Sequence, residues 1–238
     1  MRQIAVWITE QALWLLLAVG TMYNYLQFAD KQNELRISGK CSAVLSVLHT
    51  VVGLLCVKVF AFLEGTPGGM SLYGGILCMP VIYYAAARLS KRKVSAVFDT
   101  CTFCIVFTLM CARINCLMSG CCLGKVIPGT ELRWPTRQLE LVFYLILLFF
   151  LSGQRKKGAL TGKYYPVFMV SYGLFRFIAE WFRESEHVYG IFHISHIWSL
   201  VSIAVGIAVL FIPDKKLFRF LIKKQKSSED SPEQEESQ

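Results

Sequence analysis

Seven long apolar runs, at about 4–25, 42–63, 70–89, 95–118, 137–151, 164–181 and 194–212, alternate with short polar segments along the chain. A helix needs roughly 20 apolar residues to cross about 30 Å of hydrocarbon. The pattern therefore predicts an all-α polytopic membrane protein with seven transmembrane helices. No small-residue cleavage pattern follows the first run, so it is expected to be retained rather than removed as a signal peptide.

The polar segments carry the next signal. Lys31, Arg36 and Lys40 follow run 1, Arg88, Lys91, Arg92 and Lys93 follow run 3, and Arg155, Lys156, Lys157 and Lys163 follow run 5. Lys215, Lys216, Arg219, Lys223, Lys224 and Lys226 lie beyond run 7. The intervening connections hold only Lys125 and Arg133, Arg183, or no basic residue at all. Basic residues collect on the cytoplasmic side, which predicts the N-terminus outside and the C-terminus inside. A membrane domain over 1–213 is expected. Residues 214–238 are expected to add a basic juxtamembrane segment ("KKLFRFLIKKQK") on the inner leaflet and a disordered acidic tail.

Composition agrees. Of 238 residues, 55% are apolar and 17% charged, with a mean hydropathy of +0.48; soluble domains carry about 25% charge. The net charge of +9 is topological, so no nucleic-acid partner is expected. The short loops leave no room for a separate soluble domain.

Ionisable groups at membrane depth cost at least about 2.5–3.5 kcal/mol each and are default candidates for function. Arg113 sits just inside the outer end of run 4, and Arg137 and Glu140 open run 5. Arg176, Glu180 and Arg183 close run 6. Arg176 and Glu180 share a helix face and are expected to pair, with Arg183 one turn beyond. Lys58 is expected to be buried in run 2. The arginines outnumber the carboxylates, which predicts a positive cavity completed by an anion, most simply a phospholipid head group gripped by guanidinium forks. "GTPGGMSLYGG" (65–75) and "SGCCLGK" (119–125) read as flexible turns at the outer rim, where backbone N–H groups can approach such a ligand.

Cys41, Cys56, Cys78, Cys101, Cys104 and Cys111 fall in or beside helices and are expected to pack as small apolar residues. Cys116, Cys121 and Cys122 fall at the outer rim. For these three the sequence leaves open small-residue packing, a disulfide from Cys116 to one of the others, a thiol or acyl relay, and a metal. His187, His193 and His196 share that side, but nothing in the sequence brings them to the cysteines, so neither a metal nor a cofactor is expected.

Four stretches, in order, resemble the prolipoprotein diacylglyceryl transferases. "GGMSLYGG" (68–75) is similar to a family segment ending in two glycines. "RINCLMSGCCLG" (113–124) is similar to the family signature, and "PTRQLEL" (135–141) aligns at Pro135, Gln138 and Leu139. "LFRFIAEWFRE" (174–184) is similar to an Arg-Phe…Glu-Phe-Phe-Arg element. The resemblance implies a bacterial plasma-membrane enzyme with its site facing outward. It implies transfer of the diacylglyceryl group of phosphatidylglycerol to the thiol of a lipobox cysteine in a prolipoprotein signal peptide. Membrane lipids are then partners as well. Arg113, Arg176, Tyr73 and Glu180 become candidate catalytic residues. Arg137, Gln138, Arg183, Gly74, Gly75, Gly120, Gly124, Ser119 and Lys58 become candidate substrate-binding residues.

The departures from the pattern are specific. Tyr73 stands where the family usually has histidine, Cys116 and Ser119 where it has asparagines, and Cys121 where it has glutamate. These altered groups keep a lipid-binding or transport protein without covalent chemistry as the alternative reading. A thiol-redox protein using Cys101, Cys104 and the 121–122 pair is the third.

Overall fold

The apolar runs fold as helices within a few residues of their predicted bounds. The computed structural model describes residues 2–65, 71–184, 188–189 and 192–211. In chain order the elements are α1 (Arg2–Asp30), α2 (Gln32–Leu35), α3 (Gly39–Leu63), α4 (Leu72–Leu89), α5 (Val94–Ser119), α6 (Thr136–Lys156) and α7 (Tyr164–Glu180). A two-residue antiparallel pair, β1 (Val188–Tyr189) with β2 (Phe192–His193), precedes α8 (Ile194–Phe211). The predicted basic segment and acidic tail, like His187, lie outside the described residues. The described residues are thus essentially all-helical.

Six helices are long and apolar enough to cross a membrane: α1, α3, α4, α5, α6 and α8. Helix α7 is shorter, at 17 residues. Helices α1 and α6 both run five residues past their expected ends, α1 from 25 to Asp30 and α6 from 151 to Lys156. The last turn of α6 is held by Arg155, which donates to Gln27 (2.7 Å) and pairs with Asp30 (2.9 Å) at the end of α1.

Helix α5 is the centre of the bundle. Its span is 56% buried, against 17–33% for the other five, and α1, α4, α6 and α7 all pack on it. Cys101 and Cys104 are buried and free on this helix, as the packing reading expected. The outward faces carry Leu15, Val44, Leu55, Phe62, Ile146 and Phe149 in exposed positions, the surface a lipid solvent favours.

Between helices a buried, aromatic-rich apolar cluster is joined by small residues and polar pairs, which matter here because lipid supplies no hydrophobic drive for association. Ser202 on α8 donates to the Met169 carbonyl on α7 at 3.0 Å. Asn24, His49 and Tyr83 form a buried chain across α1, α3 and α4, with His49 Nε2 at 2.7 Å from the Tyr83 hydroxyl. The sequence reading missed this chain. A Cβ at Gly74 would strike the Cys56 carbonyl and, at 2.6 Å, the Phe60 Cβ.

Pro80 sits inside α4. Having no N–H, it leaves the Ile76 carbonyl without its helical donor. The Tyr165 hydroxyl of α7 supplies one at 2.6 Å, which is how membrane helices tolerate proline. Tyr165→Phe is expected to destabilise the protein by about 1–3 kcal/mol, because the buried carbonyl loses its only outside donor. The check is the Tm of detergent-purified variant and parent, and an unchanged Tm would rule this account out.

Candidate active site

Four charged side chains from three helices meet at the end of the bundle where α5 stops and α6 starts. Arg113 of α5 pairs through Nε with Glu140 of α6. Arg176 of α7 reaches the other Glu140 oxygen at 2.7 Å and Glu180, one turn along its own helix, at 2.9 Å. All four are at most 5% exposed. The expected Arg176–Glu180 pair is present.

The expected charge imbalance is not. Two guanidinium groups meet two carboxylates, so the buried quartet is formally neutral. The expected excess counted Arg137 and Arg183 into the cavity, and neither belongs to the buried quartet. Glu140 points inward and bridges Arg113 and Arg176. Gln138, two residues away, is on the opposite face and exposed, as a helix dictates.

Positive charge in excess sits at the rim instead. Arg137 is half-buried and donates to the Cys116 carbonyl at 3.1 Å. Arg183 is half-buried and forms no ion pair among the described residues. It lies beyond the end of α7 rather than on its next turn. Its backbone bridges Gly124, while Lys125 N–H donates to the Phe182 carbonyl at 2.9 Å. Trp134 N–H in turn donates to the Lys125 carbonyl at 3.0 Å, so segments 124–126, 133–134 and 182–184 form a small platform beside the quartet. Arg133 and Glu184 pair across it.

Glycines have packing duties here. Gly124 lies so close to Trp134 that a Cβ would collide with its carbonyl, which keeps the platform tight. Gly120 ends α5 in the left-handed region (φ 71°), the usual helix stop. Gly74 and Gly75 lie within α4, so they are buried helix contacts rather than the rim turn expected of them. Lys58 is exposed on α3, not buried: the inward face of that helix is set by Ser42, Ser46, His49 and Phe60.

Aromatic hydroxyls adjoin the quartet. Tyr73 packs edge-on to Tyr172 at 5.7 Å, and its hydroxyl sits 2.6 Å from Ser199 Oγ and 3.1 Å from the Ser195 carbonyl of α8. Tyr144 stacks near Tyr172 at 6.3 Å. The Tyr144 and Tyr172 hydroxyls and Arg176 Nε are buried with no hydrogen-bond partner among the described residues. Such groups are costly unless something satisfies them. Tyr144 is four residues from Glu140 and Tyr172 four from Arg176, so helical spacing from the charged residues was the signal that would have found them.

The three rim cysteines converge, which the sequence did not establish. The Sγ atoms of Cys116, Cys121 and Cys122 all lie within 4.8 Å of one another. All are free thiols, so the expected disulfide alternative is not what the structure contains. Ser119 donates to Cys121 Sγ at 3.3 Å, and Arg113 Nη1 is 3.9 Å from Cys116 Sγ. The Cys122 thiol is drawn below its ordinary pKa by a hydrogen bond from Cys116, reinforced by Arg183 and Arg113. Neither His193 nor His196 joins this cluster. The backbone N–H of His193 donates to His196 Nδ1 at 3.1 Å, and His196 packs between Phe177 and Trp181.

The family model for prolipoprotein diacylglyceryl transferase matches residues 17–212. The chain belongs to this family. Among its relatives, the phosphatidylglycerol–prolipoprotein diacylglyceryl transferase of Mannheimia succiniciproducens is 32% identical over 52% of this chain and 51% of the relative. The protein of the same name from Photobacterium profundum is 28% identical over 76% of this chain and 74% of its own length. That from Helicobacter pylori is 26% identical over 62% and 58%. The chain thus spans about half the length of the Mannheimia relative. The family match runs from α1 to the end of α8 and includes the whole quartet, the rim arginines and the cysteine cluster.

Proposed function

We propose that the protein transfers the diacylglyceryl group of phosphatidylglycerol to the cysteine thiol of a prolipoprotein lipobox, releasing glycerol phosphate. The observation that carries this reading is the buried quartet of Arg113, Glu140, Arg176 and Glu180, bordered by unpartnered donors on Tyr144, Tyr172 and Arg176. A fixed polar wall at membrane depth, backed by family membership, suits a reaction whose leaving group is a phosphate.

In this reading α7 is the seventh span, the N-terminus is outside and the C-terminal segment is cytoplasmic. The quartet then faces outward in a bacterial plasma membrane. The basic residues at the far end of the bundle, including Lys31, Arg36, Arg92 and Arg155, support that orientation. Residues 1–213 form the membrane domain, and 214–238 lie on or beyond the inner leaflet.

The phosphate docks on Arg137 and Arg183, which pair with no carboxylate among the described residues. The unpartnered donors of Tyr144, Tyr172 and Arg176 receive glyceryl and ester oxygens. Preorganised donors of this kind stabilise charge that grows on the departing phosphate. Arg113 and Arg176 hold the wall and its field, with Glu140 and Glu180 fixing their planes. Tyr73 ties α4 to α8 and shapes the glyceryl pocket. Gly120, Gly124 and Ser119 set the rim turn.

The test incubates purified protein with phosphatidylglycerol and a lipobox peptide, following peptide mass and released glycerol phosphate. A diacylglyceryl mass shift matched by glycerol phosphate is expected. Lipid that stays bound and intact while the peptide stays unmodified would reject the transferase reading in favour of lipid binding alone.

A further inference from the structure

We propose that Cys116, Cys121 and Cys122 bind a zinc ion whose open fourth position takes the acceptor thiol. The second half rests on the transferase reading; the metal site itself does not.

The geometry is close to that of a three-thiolate site. Zinc–sulfur bonds of about 2.3 Å place ligand sulfurs about 3.8–4.0 Å apart in tetrahedral or trigonal arrangement. The three Sγ atoms already lie within 4.8 Å of one another, so contraction by less than about an ångström closes the set. The local backbone is built for convergence. Gly120 reverses the chain after α5, and Cys122 occupies the left-handed region at φ 58°. A non-glycine residue there costs about 1–2 kcal/mol, yet the position keeps a thiol.

Packing does not account for the three. A packing cysteine is usually buried, whereas Cys121 is exposed and its two neighbours are half-buried. Elsewhere the helix cysteines range from buried Cys101, Cys104 and Cys111 through half-buried Cys56 and Cys78 to exposed Cys41, but among the described residues no other three thiols converge.

The surroundings suit a thiolate cluster with a divalent ion. Three thiolates and zinc sum to one negative charge, and a fourth thiolate makes two. Arg113 stands beside Cys116 Sγ at 3.9 Å, and Arg137 holds the Cys116 carbonyl at 3.1 Å. Both orient one ligand, and Arg137, which lies outside the neutral quartet, offsets part of the charge, as outer-shell groups at metal sites do.

Three protein ligands with one open position are the mark of catalytic rather than structural zinc. The need is visible in the same site. The acceptor must react as thiolate, and the family's imidazole position is held by Tyr73, whose hydroxyl is already engaged by Ser199 and Ser195. A thiol coordinated to zinc is deprotonated outright, which removes the need for a base. The acceptor thiol loses its proton to water as it binds the ion. Its sulfur pair then attacks the glyceryl carbon bonded to the phosphate oxygen. The C–S bond forms, the C–O bond breaks, and glycerol phosphate leaves with that electron pair. Nothing is oxidised or reduced.

The test uses the full-length protein, purified in detergent without chelator under oxygen-free conditions. Metal content is measured, and Co2+ is then titrated in as a spectroscopic substitute for zinc. One zinc per chain is expected, with thiolate-to-Co2+ charge-transfer absorption on substitution. Cys121→Ser and Cys122→Ser should lose both signals while remaining monodisperse, and Cys41→Ser, at the exposed start of α3, should keep both. Adding a lipobox peptide should shift the Co2+ spectrum, and its Cys→Ser version should not. Sub-stoichiometric metal, retention of metal in both cysteine variants, or a disulfide among the three in the oxygen-free protein would each overturn the site. A peptide-independent spectrum, or full turnover by metal-free protein, would overturn the acceptor role. Stoichiometric zinc with a peptide shift but no transfer would support the inference and count against the transferase reading instead.

Discussion

Glu140→Gln is expected to cost about 3–5 kcal/mol of stability and to abolish transfer. Among the described residues, Glu140 is the one that forms ion pairs with both buried arginines. Without its charge, two buried arginines are left with one carboxylate, Glu180, which pairs with Arg176. An unpaired buried cation is far costlier than the pair it came from is stabilising. The variant should accumulate poorly and melt well below the parent in detergent. A second substitution separates charge balance from chemistry. Glu140→Gln with Arg113→Met restores one cation to one carboxylate, and much of the lost stability should return through coupling between contacting sites. Transfer should stay absent, because the polar wall is broken. If the double variant is no more stable than the single, the quartet is not held by charge balance.

How much of this was legible beforehand depends on the range of the contact. Helix bounds followed from apolar runs, since lipid imposes length and composition together. The Arg176–Glu180 pair followed from spacing, because four residues on a helix share a face. Glu140 lay in plain view, but its partners come from α5 and α7, and no local pattern states which way α6 is rotated. The same ignorance put Lys58 inside when α3 turns it outward. Gly74 read as a hinge for a head group, whereas it makes room for the α3 backbone. The Pro80–Tyr165 bond joins residues far apart in the chain, so the proline could be noticed and its partner could not. The cysteines are the intermediate case. Their spacing placed them at one rim, but their convergence depends on the left-handed turn at Gly120 and Cys122, which favours glycine and gives no warning at a cysteine.

Charge balance also decides where the lipid phosphate docks, and this leads to the second large effect. A phosphate approaching the quartet has to displace Glu140 or Glu180 to gain a bidentate grip on Arg113 or Arg176. At Arg183 no carboxylate among the described residues forms an ion pair that has to be displaced. Each charge-assisted hydrogen bond to an ionised group is worth about 1.5–3 kcal/mol. Arg183→Ala should therefore lower kcat/KM for phosphatidylglycerol by about 10–100-fold, and Arg137→Ala with Arg183→Ala by about a thousandfold or more if the two act independently. Stability should change little for Arg183→Ala, because the Gly124 bridge and the Lys125–Phe182 hydrogen bond are made by backbone. Arg183→Lys should recover only part of the loss, since an ammonium cannot reproduce the planar fork. Kinetics at varied lipid and fixed peptide, beside a Tm for each variant, test this directly. Loss of Tm rather than turnover in Arg183→Ala would make Arg183 a brace of the platform. Unchanged kinetics would send the phosphate back to the buried arginines, and the carboxylates would then have to move aside on binding.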